Sequence, residues 1–250
     1  MGNINIDTFS EQLGIYDFFN VIVSGAIMGM LWYFIWPGFF EKTLFKIKVH
    51  ISVVIIFTII LCYFTGMIIQ EVGSIADRYV FHVKDKMRTT FLECREDNEV
   101  LISSVRLNMC RKYAREILKE SEIEYRGFFS KEETQYVCAR MEYRISYIGK
   151  SGKMEKLRAL FSMARSMVIC MIFSIILLLY TEFVIQESHL WDISSGIWMV
   201  FLGICGLIFY YRMKKTMRYM LLIMIGNYEA DYYNRNRVEN EKCKWMKKVK

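Results

Sequence analysis

The chain has 250 residues, 54% of them hydrophobic and 16% aromatic, with one proline, 14 glycines and a formal charge of +7. Sparse proline and glycine leave little room for disordered linkers. Seven cysteines without a single Cys-x-x-Cys pair, and three histidines in three different segments, exclude the common zinc and redox motifs.

Four charge-free apolar stretches decide the class: 18–40, 51–70, 166–181 (resuming past Glu182) and 193–211. A bilayer core about 30 Å thick needs on the order of 20 apolar residues in helical form. The runs are continuous, not alternating, which points to helices and against a barrel. The predicted fold is therefore all-α: an integral membrane protein with four transmembrane helices and a helical cytosolic insert. The predicted parts are an N-terminal segment with the first hairpin (1–70), a cytosolic domain (71–164), a second hairpin (165–211) and a basic amphipathic tail (212–250).

In chain order, residues 1–12 carry no Lys or Arg, and the run that follows is long enough to span, so a signal peptide is not expected. Gly2 is followed at position six by Ile6, which disfavours myristoylation. Asn20 is the polar residue nearest a span centre. Ser24 and Thr58 are read as hydroxyls bonding to the backbone. The first span carries a G-x-x-x-G at Gly25 and Gly29, then Trp32, Tyr33 and Trp36 as interfacial anchors, and it ends at Pro37-Gly38. The second span sets Thr58, Cys62 and Gly66 at spacings of four. The third does the same with Ser166, Cys170 and Ser174, and the fourth carries Gly196, Gly203 and Gly206. Helices in lipid pack through such small residues, so each span has a ridge suited to packing, either within the bundle or between subunits. Trp191 and Trp198 flank the start of the fourth span.

The middle segment reads as helical. Ile102, Val105, Met109, Tyr113 and Ile117 recur on one face, with Arg111, Lys112, Arg115 and Lys119 on the other. A capping box at Ser130 and Glu133 starts a helix through Tyr147, with Val137, Met141, Ile145 and Ile148 as its buried stripe. The 150–153 stretch breaks the chain, and a last helix from about Met154 runs into the third span. No sheet is expected. The tail repeats the amphipathic theme: Met217, Met220, Leu221, Met224 and Ile225 oppose Lys214, Lys215 and Arg218. It either lies on an anionic lipid surface or extends the fourth span and packs on the middle domain, the second being favoured.

Of the 33 Lys and Arg residues, 19 fall in 71–165, 11 after Tyr211 and three (Lys42, Lys46 and Lys48) in the first loop. Positive charge marks the cytoplasmic side. The middle segment, the tail with Arg212, Lys214, Lys215 and Arg218 at the membrane surface, and both termini are thus placed inside, at the cell's inner membrane. The basic first loop conflicts with this threading, and an inverted first hairpin stays open.

Gly14-Ile15-Tyr16-Asp17-Phe18-Phe19, leading into Ser24-Gly25, together with the basic–aromatic stretch 212–219, resembles a set of small bacterial membrane proteins. Some of these accompany anti-phage or CRISPR-type defence genes. The chain has Ser24-Gly25 where that pattern has Pro-Gly. The resemblance implies two spans, a cytosolic helical insert and two more spans, in a membrane component that acts when phage infection is sensed.

No span has a central charge of the kind that ion-coupled transporters keep. No phosphate-binding loop, nucleophile elbow or metal-ligand cluster appears. The expectation is a non-enzymatic protein with no cofactor and no metal: a homo-oligomeric scaffold, sensor or pore-forming effector coupled to a cytosolic protein partner. Mixed charge in the middle segment argues against specific nucleic-acid binding. A channel or transporter for a small solute is the alternative. A membrane-bound enzyme is third, dependent on Glu93, Glu96, Asp97 and His82 sharing one concave site.

Overall fold

The structure, a computed structural model, describes residues 6–39, 50–92, 104–123, 127–149, 152–185 and 194–249. Its elements are α1 (Ile6–Ile35), α2 (Ile51–Ala76), α3 (Val83–Thr90), α4 (Ser104–Glu120), α5 (Lys131–Tyr147), α6 (Gly152–Tyr180) and α7 (Ser195–Val249). Wider π turns at Asp77–Phe81 and Thr181–Ile185 continue α2 and α6. No strand occurs among the described residues. Three helical stretches, 52–81, 152–184 and 195–235, are long and apolar enough to cross a membrane, and the apolar part of α1, 20–35, is shorter. The chain divides into two units: 1–82 with 158–216, and 83–157 with 217–250.

In the first unit α1 and α2 run antiparallel, because Val21 meets Gly66 while Gly25 meets Cys62. α1 and α6 lie side by side and parallel. Asn20 Nδ2 donates to the Ala159 carbonyl at 3.2 Å. Cys170 Sγ donates to the Ser24 carbonyl at 3.7 Å, and the Trp36 and Tyr180 rings meet edge-on at 6.4 Å. The inner faces of these three helices share a small core of Met28, Ile69, Ile169 and Cys170. α7 runs back along α6, with Gly206 against Met171. Both helix pairs of this unit, α1 with α2 and α6 with the first part of α7, therefore run in the same sense. The outward faces are apolar and uncovered. Residues 52–60 are exposed without interruption, a pattern compatible with a membrane-embedded surface.

The second unit has its own core, built where α4, α5 and the later part of α7 come together. Leu107, Cys110, Tyr113, Ala114, Ile117 and Leu118 of α4 pack with Val137, Cys138, Met141 and Ile145 of α5, and with Leu221, Met224, Ile225 and Tyr228 of α7. The tail thus packs on the middle segment instead of ending as a free amphipathic helix. On α4 the buried stripe agrees with the expected one at Tyr113 and Ile117 and differs from it nearer the start of the helix, where the Val105 side chain lies outside the described residues. Met109 is 37% exposed, Ile102 lies outside the described residues, and Leu107 and Cys110 turn inward in their place.

α5 begins as its sequence dictates. Ser130 Oγ accepts from the Glu133 N–H at 3.1 Å, and Glu133 Oε2 accepts from the Ser130 N–H at 2.8 Å. It ends at Ile148, after which Gly149 takes φ 72°, a left-handed turn that glycine enters without strain.

Candidate functional site

The small residues of the spans divide sharply by what surrounds them. A Cβ on Gly25 would lie 1.8 Å from the Cys62 carbonyl oxygen, and one on Gly66 would lie 1.9 Å from that of Val21. The two helices touch backbone to backbone there, a distance that only glycine permits and at which weak Cα–H···O bonds form. Gly29 and Gly203 are different: a Cβ on either meets nothing within 4 Å. Gly206 sits 3.5 Å (as a built Cβ) from Met171, and Gly196 approaches only Ser194. Thr58 is exposed and bonds back to the Val54 carbonyl at 2.8 Å, while Ser24 bonds back to Asn20 and Val21. Cys62 is half-buried and Cys170 fully buried, both as free thiols.

Ser166 and Ser174 are fully buried on one face of α6, with Cys170 between them, and neither hydroxyl has a hydrogen-bond partner. One residue before Ser166, Arg165 lies along Gly73, whose built Cβ would be 3.3 Å from the arginine Cγ. Its guanidinium reaches the Gln70 carbonyl at 3.5 Å and stands 5.9 Å from the Phe161 ring centre. Asp77, itself buried, and Glu71 are the carboxylates that face it. By charge alone, Arg165 is one of the 19 cations of 71–165, next to the start of the third apolar run. The sign that charge overlooks is a small residue, Gly73, in the one place where a long side chain has to lie flat.

An open cleft of about 310 Å³ runs between α6 and α7, bounded by Val168, Met171, Ile175, Gly203, Phe81 and Tyr210. Just beyond it Lys214 Nζ stands 4.7 Å over the Tyr210 ring, and Arg212 and Lys215 beside it are exposed. Arg218, the fourth cation named for the membrane surface, is half-buried and falls in the second unit.

In that second unit, polar contacts fasten the α7 extension. Arg144 and Arg235 both bind Asp231, at 3.2 and 3.0 Å. Tyr232 donates to Glu116 at 2.9 Å, and Arg88 pairs with Glu142. The Tyr113 ring lies 4.6 Å from Tyr232 and 5.9 Å from Tyr228. Burial and the neighbouring Tyr233 push the Tyr113 phenol up. Burial also pushes the Cys110 and Cys138 thiols up to about 11, so both are held as inert thiols and not as nucleophiles. Cys138 donates to the Met224 sulfur at 3.9 Å. These groups satisfy one another as parts of a core.

Glu93, Glu96, Asp97, Trp191 and His189 lie outside the described residues. Among the described residues no group of three His, Cys, Asp or Glu stands close enough to hold a metal ion. No protein-family model, curated protein or solved structure matches the chain.

Proposed function

We propose that the chain crosses a bilayer four times and acts there as a homo-oligomeric scaffold or pore-forming effector, coupled through its helical second unit to a cytosolic protein partner. The setting suggested by the sequence resemblance is bacterial defence. Both termini and residues 71–164 then lie on the cytoplasmic face of the inner membrane, where the positive charge concentrates.

The observation that carries the oligomer is the divided use of the first-span glycines. Gly25 is consumed by the contact with α2, whereas Gly29, one turn on, opens onto empty space. A membrane helix gains from such a bare patch only when another surface closes on it. The separately cored second unit, tied by Asp231 to two arginines, gives the assembly a solid element for a partner to grip.

Cross-linking and native mass spectrometry in mild detergent test the reading. The wild type is expected as a defined multimer, and Gly29→Leu as a monomer of unchanged helicity and melting temperature. A monomeric wild type overturns it.

The buried, unpartnered hydroxyls of Ser166 and Ser174 favour a second reading, a path for a small polar solute. Solute flux into proteoliposomes containing this chain alone would decide for that reading.

A further inference from the structure

The cleft between α6 and α7 has room on the order of ten water volumes, but its walls present no polar atom. A water molecule needs two to four polar partners to reside in such a place, so the cleft selects an apolar occupant. Its lining runs along α7 from Gly203 past Gly206 to Tyr210, whose ring lies 5.7 Å from that of Phe81 at a tilt of 54°. One helical turn further, Lys214 stands over the same Tyr210 ring with Arg212 and Lys215 beside it. An apolar groove thus opens at one end onto a cluster of cations.

We propose that this groove binds one anionic glycerophospholipid. An acyl chain lies along Gly203 and Gly206, and the phosphate is held at Lys214. The proposal needs the chain to be in a bilayer but does not depend on the oligomer. A second copy is the competing occupant. In the same membrane it carries the same three cations at the same depth, so its approach would bring like charges together. A lipid phosphate pairs with Lys214 instead, as basic pockets at the ends of membrane helices do with acidic headgroups. Gly203 gives the groove its depth: a Cβ there meets nothing within 4 Å, so a larger residue enters the groove without pushing on backbone.

The test uses the full chain, purified in mild detergent and stripped of lipid. It is titrated with dioleoyl phosphatidylglycerol or dioleoyl phosphatidylcholine, with native mass spectrometry to count bound lipid. Wild type is expected to favour phosphatidylglycerol by about fivefold, the contribution of roughly one cation near the surface. Lys214→Gln is expected to lose that preference and still bind both lipids, and Lys214→Arg to restore it. Gly203→Leu is expected to weaken both lipids on the order of tenfold, since the new side chain takes the place of buried methylenes, with circular dichroism unchanged. Equal affinity of the wild type for the two lipids overturns the proposal, as does a Gly203→Leu protein that binds lipid like wild type. So does a Gly203→Leu protein that falls from multimer to monomer at unchanged lipid content, which would give the groove to a second copy. The oligomer reading fails or stands separately, on Gly29→Leu.

Discussion

Gly25 and Gly29 are one helical turn apart, and a single methyl group separates their roles. At 25 the methyl carbon would sit inside the Cys62 carbonyl, and nothing but movement of a whole helix relieves it. Overpacking a tight contact costs about 1–3 kcal/mol even where side chains can give way, and here the obstacle is backbone. Gly25→Ala and Gly66→Ala are therefore expected to lower the melting temperature of the detergent-solubilised protein clearly. Gly29→Ala should leave it level or raise it, since alanine in a helix interior gains up to about 1 kcal/mol over glycine. Equal melting temperatures for the three variants would remove the α1–α2 contact from the account. The G-x-x-x-G itself was plain in the sequence. Which of its glycines faced α2 was not, because the choice depends on where Gly66 lands along the neighbouring helix, and spacing along one helix carries no such information.

At the scale of single elements, the last turn of α4 holds a small mismatch between sequence and backbone. The Ile123 N–H reaches the Leu118 carbonyl at 3.0 Å and the Glu122 N–H reaches that of Lys119 at 3.1 Å. This is the paired closure that normally has glycine at its left-handed residue. Glu122 occupies that position with φ 57°, where a Cβ crowds the carbonyl. Glu122→Gly is expected to stabilise the second unit by roughly 0.5–1 kcal/mol, the left-handed penalty less the entropy glycine loses on folding. Slower amide exchange in the last turn of α4 of the full chain would register it, and faster exchange would refute it. Elements with a local code were the legible ones. The capping box at Ser130 and Glu133 gave the start of α5, and three of the four apolar runs fall in helices long and apolar enough to cross a membrane. The buried face of α4 was harder. The spacing from 102 to 117 placed Tyr113 and Ile117 correctly, but it put Met109 inward where Leu107 and Cys110 are the residues buried. Periodicity alone fixes that a stripe exists, whereas its angle is set by what packs against it.

For the whole molecule, α1 and α6 run parallel within the first unit, so in the proposed four-span reading the two hairpins are threaded in the same sense. Three lysines in the first loop then stand against the 19 cations of 71–165 and the 11 after Tyr211, and the proposed orientation follows the larger groups. The site on which to test this is Tyr147 on α5, 78% exposed. A Tyr147→Cys chain meets little competition from the buried thiols nearby. Cys110 and Cys138 are pushed up to about 11, which leaves fewer than roughly one in a thousand ionised at neutral pH. A membrane-impermeant maleimide added to intact cells is expected to add no label beyond that of the unsubstituted chain, and to label Tyr147→Cys fully once the inner membrane is opened. Label acquired by intact cells would put the second unit outside and reverse the whole arrangement, because hairpins fixed in the same sense reverse together. Recovery of the chain in the supernatant of lysed cells, without detergent, would remove the membrane itself. The exposed 52–60 face would then require a protein partner as its cover.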